Sequence, residues 1–479
     1  DEAQLANSLS LTEDKAIQAS IWAINGYYTH VSKSLKEIVA LDPNSPHVNF
    51  LLTRWVNMQE DGTEENMLKQ FQVSDSSAID RTTLQWISEL PQQVKNLNNP
   101  AMWNLASGYV HMLLGEHKAA EAAYQSVLNL PAANNTLVNA QARLFNLINQ
   151  VAQLQTLNKQ HEQALLKDMN WLFQEIDHDE ALRADLRSSY AKGWIKMKLA
   201  DVYKKGNKPL MAEIVNSDKS FFTDNKKAQT VIDFLAKDDK SAWESLFSKI
   251  YPISAAELYG NMAMHNFYEG KLDDQTLAWM QKSEEQQKDT LYANPFNGFI
   301  KDCHDCEHVQ PQKVKYTKLS FLKLMKDLKT SLDFKKDSYQ EALLLGNGYY
   351  NATYYGNARL FYNNYYIGHD TDQSNQAATE DTQSMRLARK YYSIALQKAE
   401  DKEQAAKASY MLAKVERNEF YEDNYFKTDY YYGWNDGQVM FKAWQGFVDL
   451  NTKYADSKYY ADVIRECGYF RRYTEHTTK

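Results

Sequence analysis

The chain has 479 residues, a net charge of −8 and a pI near 5.8. That length exceeds one ordinary globular core, so it implies two or three domains or one long array of repeats that grows without a growing core. It holds only 17 Gly and 9 Pro, too few turn residues for a sandwich or barrel of short strands. It has no run of five basic residues, which argues against nucleic acid as a partner, and no apolar stretch near ~18 residues, which excludes a spanning helix.

In chain order, helical periodicity is almost continuous and no alternating strand stands out. Residues 13–40 predict one helix or two, stopped at Leu41-Asp42-Pro43-Asn44, where Pro43 ends the helix and Asn44 offers a cap for the next. A helix over 46–58 follows, then the polar turn Glu60-Asp61-Gly62-Thr63. Residues 100–131 predict a helix pair around the tight turn Gly115-Glu116-His117. Two long helices cover 136–176, and a pair covers 179–217 with its turn near Gly206-Asn207. Two smaller helices fill 218–252, and a further pair at 253–285 breaks at Gly270. The segment from Asn294 to about Tyr316 lacks helical pattern. Helices resume at 317–334 and 336–352. The acidic stretch 367–383 predicts a mobile loop. Helices follow near 388–396 and 403–419, then an irregular Tyr-rich segment at 421–437 and a last pair from Val439 to Tyr473, with Ser457 as an N-cap.

The densest signal is in 341–366, where Gly346, Tyr349, Ala358 and Tyr362 stand at relative spacings of 0, 3, 12 and 16, with Leu345 before the glycine. A helix pair needs small residues where its helices cross and large ones beside them. This spacing resembles the tetratricopeptide repeat. Residues 100–131 resemble it again through Gly108, Gly115, Ala120, Tyr124, Leu128 and Leu130, with Trp103 one place off the usual Trp and Pro131 one place early. Ala388, Tyr391, Tyr392, Ala395 and Leu396 repeat the second-helix pattern. The resemblance implies an all-α, right-handed solenoid of antiparallel helix pairs with one irregular Cys-containing loop. Three regions are expected: 1–217 and 336–479, both repeat-like, and a middle helical region 218–335 holding the loop at 294–316. The linker at 453–459 is similar to that of bacterial outer-membrane tetratricopeptide proteins, with Ala455 in place of Pro. The Cys-x-x-Cys loop and the ending Glu-Cys-Gly-Tyr-Phe at 466–470 resemble exported helical-repeat proteins of Bacteroidota, which carry no established activity. A start at Asp1 fits a processed, exported protein and equally a trimmed one.

Two segments are candidates for chemistry. In Cys303-His304-Asp305-Cys306-Glu307-His308, the two thiols three apart and His308 are candidate ligands of a structural zinc. A fourth ligand would have to come from His304, a carboxylate or Cys467. A Cys303–Cys306 disulfide is the preferred reading for an exported chain; pairing with Cys467 and plain reduced thiols are the others. The second candidate is Tyr430, Tyr431, Tyr432 and Trp434, which fall outside helical period and suit a binding loop for a sugar ring or an extended peptide. The acidic cluster Glu175, Asp177, Asp179 and Glu180 around His178 lacks a calcium-loop pattern and reads as a solvated turn. Asn351-Ala352-Thr353 and Asn134-Asn135-Thr136 match glycosylation sequons, a pattern short enough to arise by chance.

No phosphate loop, His-Glu-x-x-His or Gly-x-Ser-x-Gly occurs. A toroid of paired helices can host a glycosidase carboxylate pair, but no pair is singled out here. The expectation is a non-enzymatic protein–protein interaction scaffold without a cofactor, apart from a structural zinc if one binds. It would be exported, to the periplasm or the cell surface, and bind a cell-envelope protein within a periplasmic or outer-membrane assembly. The alternative is a glycan- or nutrient-binding surface protein using the aromatic loop. Loss of polysaccharide binding in Tyr431→Ala or Trp434→Ala would support that alternative.

Overall fold

The structure, a computed structural model, describes residues 2–61, 67–73, 75–130, 136–291, 293–300, 313–334, 338–358, 376–423 and 444–477. The described residues are all-α. They include an antiparallel β-bridge between Thr290 and Thr317. The chain forms two compact units, one of Asp1–Ser217 with Asp239–Tyr251 and one of Asp218–Asp238 with Pro252–Lys479.

The first unit holds α1 (Glu2–Ser10), α2 (Lys15–Tyr28), α3 (Val31–Leu41), α4 (His47–Glu60), α5 (Arg81–Gln93), α6 (Pro100–Leu113), α7 (His117–Leu128), α8 (Thr136–Ala152), α9 (Lys159–Asn170), α10 (Glu180–Asp185), α11 (Ser188–Lys205) and α12 (Pro209–Val215). The second unit begins with α13 (Asn225–Ala236), whereas α14 (Ala242–Ile250) returns to the first. The second unit continues with α15 (Ala255–Tyr268), α16 (Asp274–Lys282), α17 (Lys318–Phe334), α18 (Tyr339–Asn351), α19 (Gln376–Gln383), α20 (Arg386–Gln397) and α21 (Lys402–Tyr421). It ends with α22 (Gln445–Lys453), α23 (Lys458–Glu466) and α24 (Gly468–Thr477). Consecutive helices pack on one another, as in α2/α3, α6/α7, α11/α12, α15/α16 and α21/α22.

Three of these pairs turn in the same way. Gly115, Asn207 and Gly270 adopt φ of 72°, 55° and 77°, the left-handed region that glycine and asparagine tolerate. In each turn the next amide reaches back five residues, Glu116 to His111 at 2.9 Å, Lys208 to Tyr203 at 2.9 Å and Lys271 to Asn266 at 2.8 Å. These bonds satisfy helix-end carbonyls that would otherwise lack partners. The expected breaks at Gly115 and Gly270 lie here, and the third sits on Asn207 rather than Gly206. Asn44, expected to cap a helix, instead ties two segments together. Its amide donates to the Asn96 carbonyl at 2.8 Å and its oxygen accepts from the Asn98 amide at 2.7 Å.

Small residues set the helix crossings. A Cβ added at Gly108 would come within 2.6 Å of the Tyr124 ring, and one at Gly346 within 2.4 Å of the Tyr392 ring. The second contact corrects the sequence reading. Ala358 was expected on the second helix of that pair, but residues 352–358 form turns and the helix that fills the Gly346 notch is α20. Gly108 and Tyr124 are 16 positions apart, Gly346 and Tyr392 46, so about 30 extra residues lie between α18 and α20. The expected loop at 367–383 is also revised, because 376–383 is the helix α19 and Thr382 is buried. Tyr362 and residues 367–375 lie outside the described residues.

The core of the second unit runs from Ala263 to Tyr473 through Phe267, Phe321, Tyr349, Tyr392, Tyr410 and Phe470. That of the first unit is built around Trp22, Leu51, Trp55, Ile87 and Trp103. Phe267, Tyr349 and Tyr391 form a stack with centroids 4.8 and 5.4 Å apart. Tyr349 is therefore a packing residue.

Candidate functional site

The sequence candidates Cys303, Cys306 and His308 lie outside the described residues, as do Tyr430, Tyr431, Tyr432 and Trp434. Cys467 is described. It is a buried, unbridged thiol whose Sγ accepts from the Phe470 amide at 3.4 Å. Around His178, Asp179 caps α10 by accepting from the amides of Ala181 and Leu182. Asp177 pairs with Lys192 at 2.6 Å, so two members of that cluster have structural partners. Among the described residues no three His, Cys, Asp or Glu side chains converge as a metal site. None of the described helices is long and apolar enough to cross a membrane.

The structure brings together a set of residues that was not singled out in the sequence. Residues 293–300, read only as non-helical, form a strap laid across α18 and α21. The strap holds its own bends. Asn294 Oδ1 accepts from the Phe296 amide at 2.9 Å, and Asn297 Nδ2 donates to the Asn294 carbonyl at 2.8 Å. Its main chain is held by side chains. Asn351 Nδ2 donates to the Pro295 carbonyl at 3.0 Å and to that of Asn297 at 2.9 Å. Asn347 Nδ2 donates to the Phe296 carbonyl at 3.0 Å. From α21, Lys414 Nζ donates to the Phe299 carbonyl at 3.0 Å and the Tyr410 hydroxyl to the Ile300 carbonyl at 2.7 Å.

Two of the four donors are aimed by a neighbour. Asn347 Oδ1 accepts from the Tyr392 hydroxyl at 2.9 Å, which fixes its amide toward the strap. Lys414 is buried, with its ammonium 4.7 Å from the centre of the Tyr350 ring. Asn418 Nδ2 donates to the Tyr350 hydroxyl at 3.1 Å, which steadies that ring. Lys407 lies beside Gly298, and burial holds its pKa below the usual lysine range. Phe296 sets the strap's depth. It packs edge-on to Tyr316 at 5.3 Å and against Phe321 at 5.6 Å. It also approaches Gly348, where a Cβ would lie 3.4 Å from its ring and 2.4 Å from the Met325 sulfur.

The bonds from α18 and α21 read main-chain carbonyls, so chemically the site holds a peptide main chain. Pro295, Phe296, Gly298 and Ile300 supply the shape. Asn347 and Asn351 are one helical turn apart on α18, and Tyr410 and Lys414 are likewise one turn apart on α21. Polar residues at that spacing inside an otherwise small and aromatic run were the available signal. Asn351 and Thr353 are both buried, so this sequon is closed to glycosylation in the fold.

A second polar contact ties α19 down. His265 Nδ1 on α15 lies 2.6 Å from Asp381 Oδ2, and the Tyr354 amide donates to the Thr382 carbonyl at 2.8 Å. The hydrogen bond to Asp381 raises the His265 pKa against an opposing effect of burial; Glu269 also raises it and Lys271 lowers it. Burial raises the pKa of Asp381, helped by Glu380 and partly offset by His265. For His265 the folded pKa exceeds the unfolded value. Its contribution is complete below the unfolded pKa of about 6.5 and is lost as pH rises through the folded value. The stability advantage of the natural protein over His265→Gln is therefore expected to shrink as pH rises above about 6.5, read by urea unfolding at each pH.

No protein-family model matches the chain, and neither a curated protein nor a solved structure matches it.

Proposed function

We propose that the chain is a non-enzymatic protein–protein interaction scaffold of the cell envelope, part of a periplasmic or outer-membrane assembly. Its helix pairs stack as a right-handed, tetratricopeptide-like solenoid. The observation that supports this is the strap contact, in which Asn347, Asn351, Tyr410 and Lys414 hold five main-chain carbonyls of a non-helical segment. Side-chain amides and a lysine on helices are suited to gripping a peptide of a partner. Export rests on the resemblance of the 453–459 linker and the 466–470 ending to exported proteins. Crosslinking and affinity isolation of the tagged protein from its native envelope tests the reading. It stands if a stoichiometric envelope protein co-purifies. It falls if the chain emerges alone, and polysaccharide screening with Tyr431→Ala and Trp434→Ala then takes precedence.

We also propose that Cys303 and Cys306 form a disulfide, with zinc held by Cys303, Cys306 and His308 as the alternative. The chain has three cysteines, so a disulfide leaves one reactive thiol in denaturant before reduction and three after it. Three thiols before reduction, with zinc released on unfolding, would favour the metal.

A further inference from the structure

The strap is an unusual occupant of its site. Of the bonds that hold it, those from α18 and α21 all end on carbonyl oxygens, which every peptide possesses. It belongs to no helix or strand, and its bends are closed by its own Asn294 and Asn297. The donors are organised independently of it, Asn347 by Tyr392 and Lys414 by the Tyr350 ring. If the strap leaves, the donors keep those supports and can serve another backbone. At the strap's far end the Phe299 side chain is 43 % exposed.

We propose that the face of α18 and α21 is a peptide-binding groove occupied by the chain's own residues 293–300, and that a partner enters it by replacing the strap carbonyl for carbonyl. The partner is a segment of the same chemistry that takes the same turn: proline, then an aromatic seated against Gly348, then a glycine step beside Lys407, then an apolar residue in the Ile300 position. Buried Pro295 and Ile300, the Phe296 contacts and the close approach at Gly298 define that pattern. This rests on the scaffold reading and adds to it the identity of the groove and its regulation. A groove with a built-in occupant binds only in proportion to the fraction of molecules whose strap is open.

The test uses the purified full chain and a fluorescent synthetic peptide with the sequence of residues 291–301. Native-state hydrogen exchange comes first. Amides of 293–300 that exchange by local opening, faster than those of α18 and α21, support the proposal. Strap amides that exchange only with global unfolding overturn it, because the strap is then a permanent part of the core. Peptide binding follows. The double variant Phe296→Ala/Ile300→Ala weakens the strap but leaves the groove intact, and is expected to bind the peptide about tenfold more tightly than the natural chain. Adding Asn351→Ala and Lys414→Ala is expected to abolish binding, as is scrambling the peptide. A folded double variant that binds no better than the natural chain overturns the proposal; if that variant fails to fold, hydrogen exchange on the natural chain decides alone. Neither experiment needs the native partner. Envelope partners isolated alongside a negative peptide result would mean that docking occurs elsewhere, whereas a positive result without partners would retire the scaffold and keep the groove.

Discussion

Gly446→Ala is expected to destabilise the C-terminal unit by about 3 kcal/mol, at the upper end of overpacking effects. Gly446 opens α22 where that helix meets α21. A Cβ there would lie 2.0 Å from the Ser409 carbonyl oxygen, 2.9 Å from the Ala413 Cβ and 3.0 Å from the Ala413 amide nitrogen. Two of those atoms are backbone, so no rotamer change relieves the clash and the helices must separate. Separation also strains the contact that ends α22. Its N-cap Trp444 makes no side-chain cap, and Glu416 of α21 instead accepts from the Gln445 amide at 2.7 Å. A carboxylate placed at a helix start complements the partial positive charge of the unpaired amides. Gly193→Ala on α11 gives the contrast, because nothing lies within 4 Å of its added Cβ. That change is expected to stabilise its helix by about 0.5–1 kcal/mol through propensity alone. Urea unfolding followed by helical circular dichroism reads both, and a neutral Gly446→Ala would refute the close approach.

The second large effect is expected at Asn351. Replacing it by alanine removes two hydrogen bonds and leaves the carbonyls of Pro295 and Asn297 without their donor in a buried setting. At about 1 kcal/mol for each bond plus the penalty for unsatisfied acceptors, the loss is about 2–4 kcal/mol. Asn351→Asp keeps the shape but substitutes a carboxylate that cannot donate, facing carbonyl oxygens, and is expected to cost at least as much. The damage should be local. Hydrogen exchange at 293–300 is expected to accelerate while α20 and α22 keep their protection. Uniform acceleration across the unit would mean that Asn351 acts as a core residue rather than as an anchor of the strap.

Residues whose roles depend on near neighbours in sequence were legible. Gly115 and Gly270 announce turns because few other residues accept a positive φ, and Gly108 with Tyr124 keeps the ordinary spacing of a helix crossing. Gly346 was recognised as a notch, but its filler was placed near Ala358 and Tyr362. A fixed spacing cannot register about 30 intervening residues, even though Tyr392 carried the right pattern. Gly446 gave no signal, since the atom it must avoid is a main-chain oxygen of another helix. Asn347, Asn351 and Lys414 were not singled out, because a sequence does not show that a distant segment will cover them. Cys303, Cys306, His308 and the Tyr430–Trp434 stretch were the chemically conspicuous groups, and the described structure places none of them.

The extra residues between α18 and α20 bear on the order in which this unit assembles. Most neighbouring helices meet after closing a short turn, whereas Tyr392 must find Gly346 across 46 positions instead of 16. Closing the longer loop costs roughly 1 kcal/mol more in chain entropy, before any contact rewards it. Pairs such as α15/α16 can therefore form early and locally. The junction of α18 with α20 is expected to close after such pairs, and until it does Asn347 lacks the tyrosine that aims it at the strap.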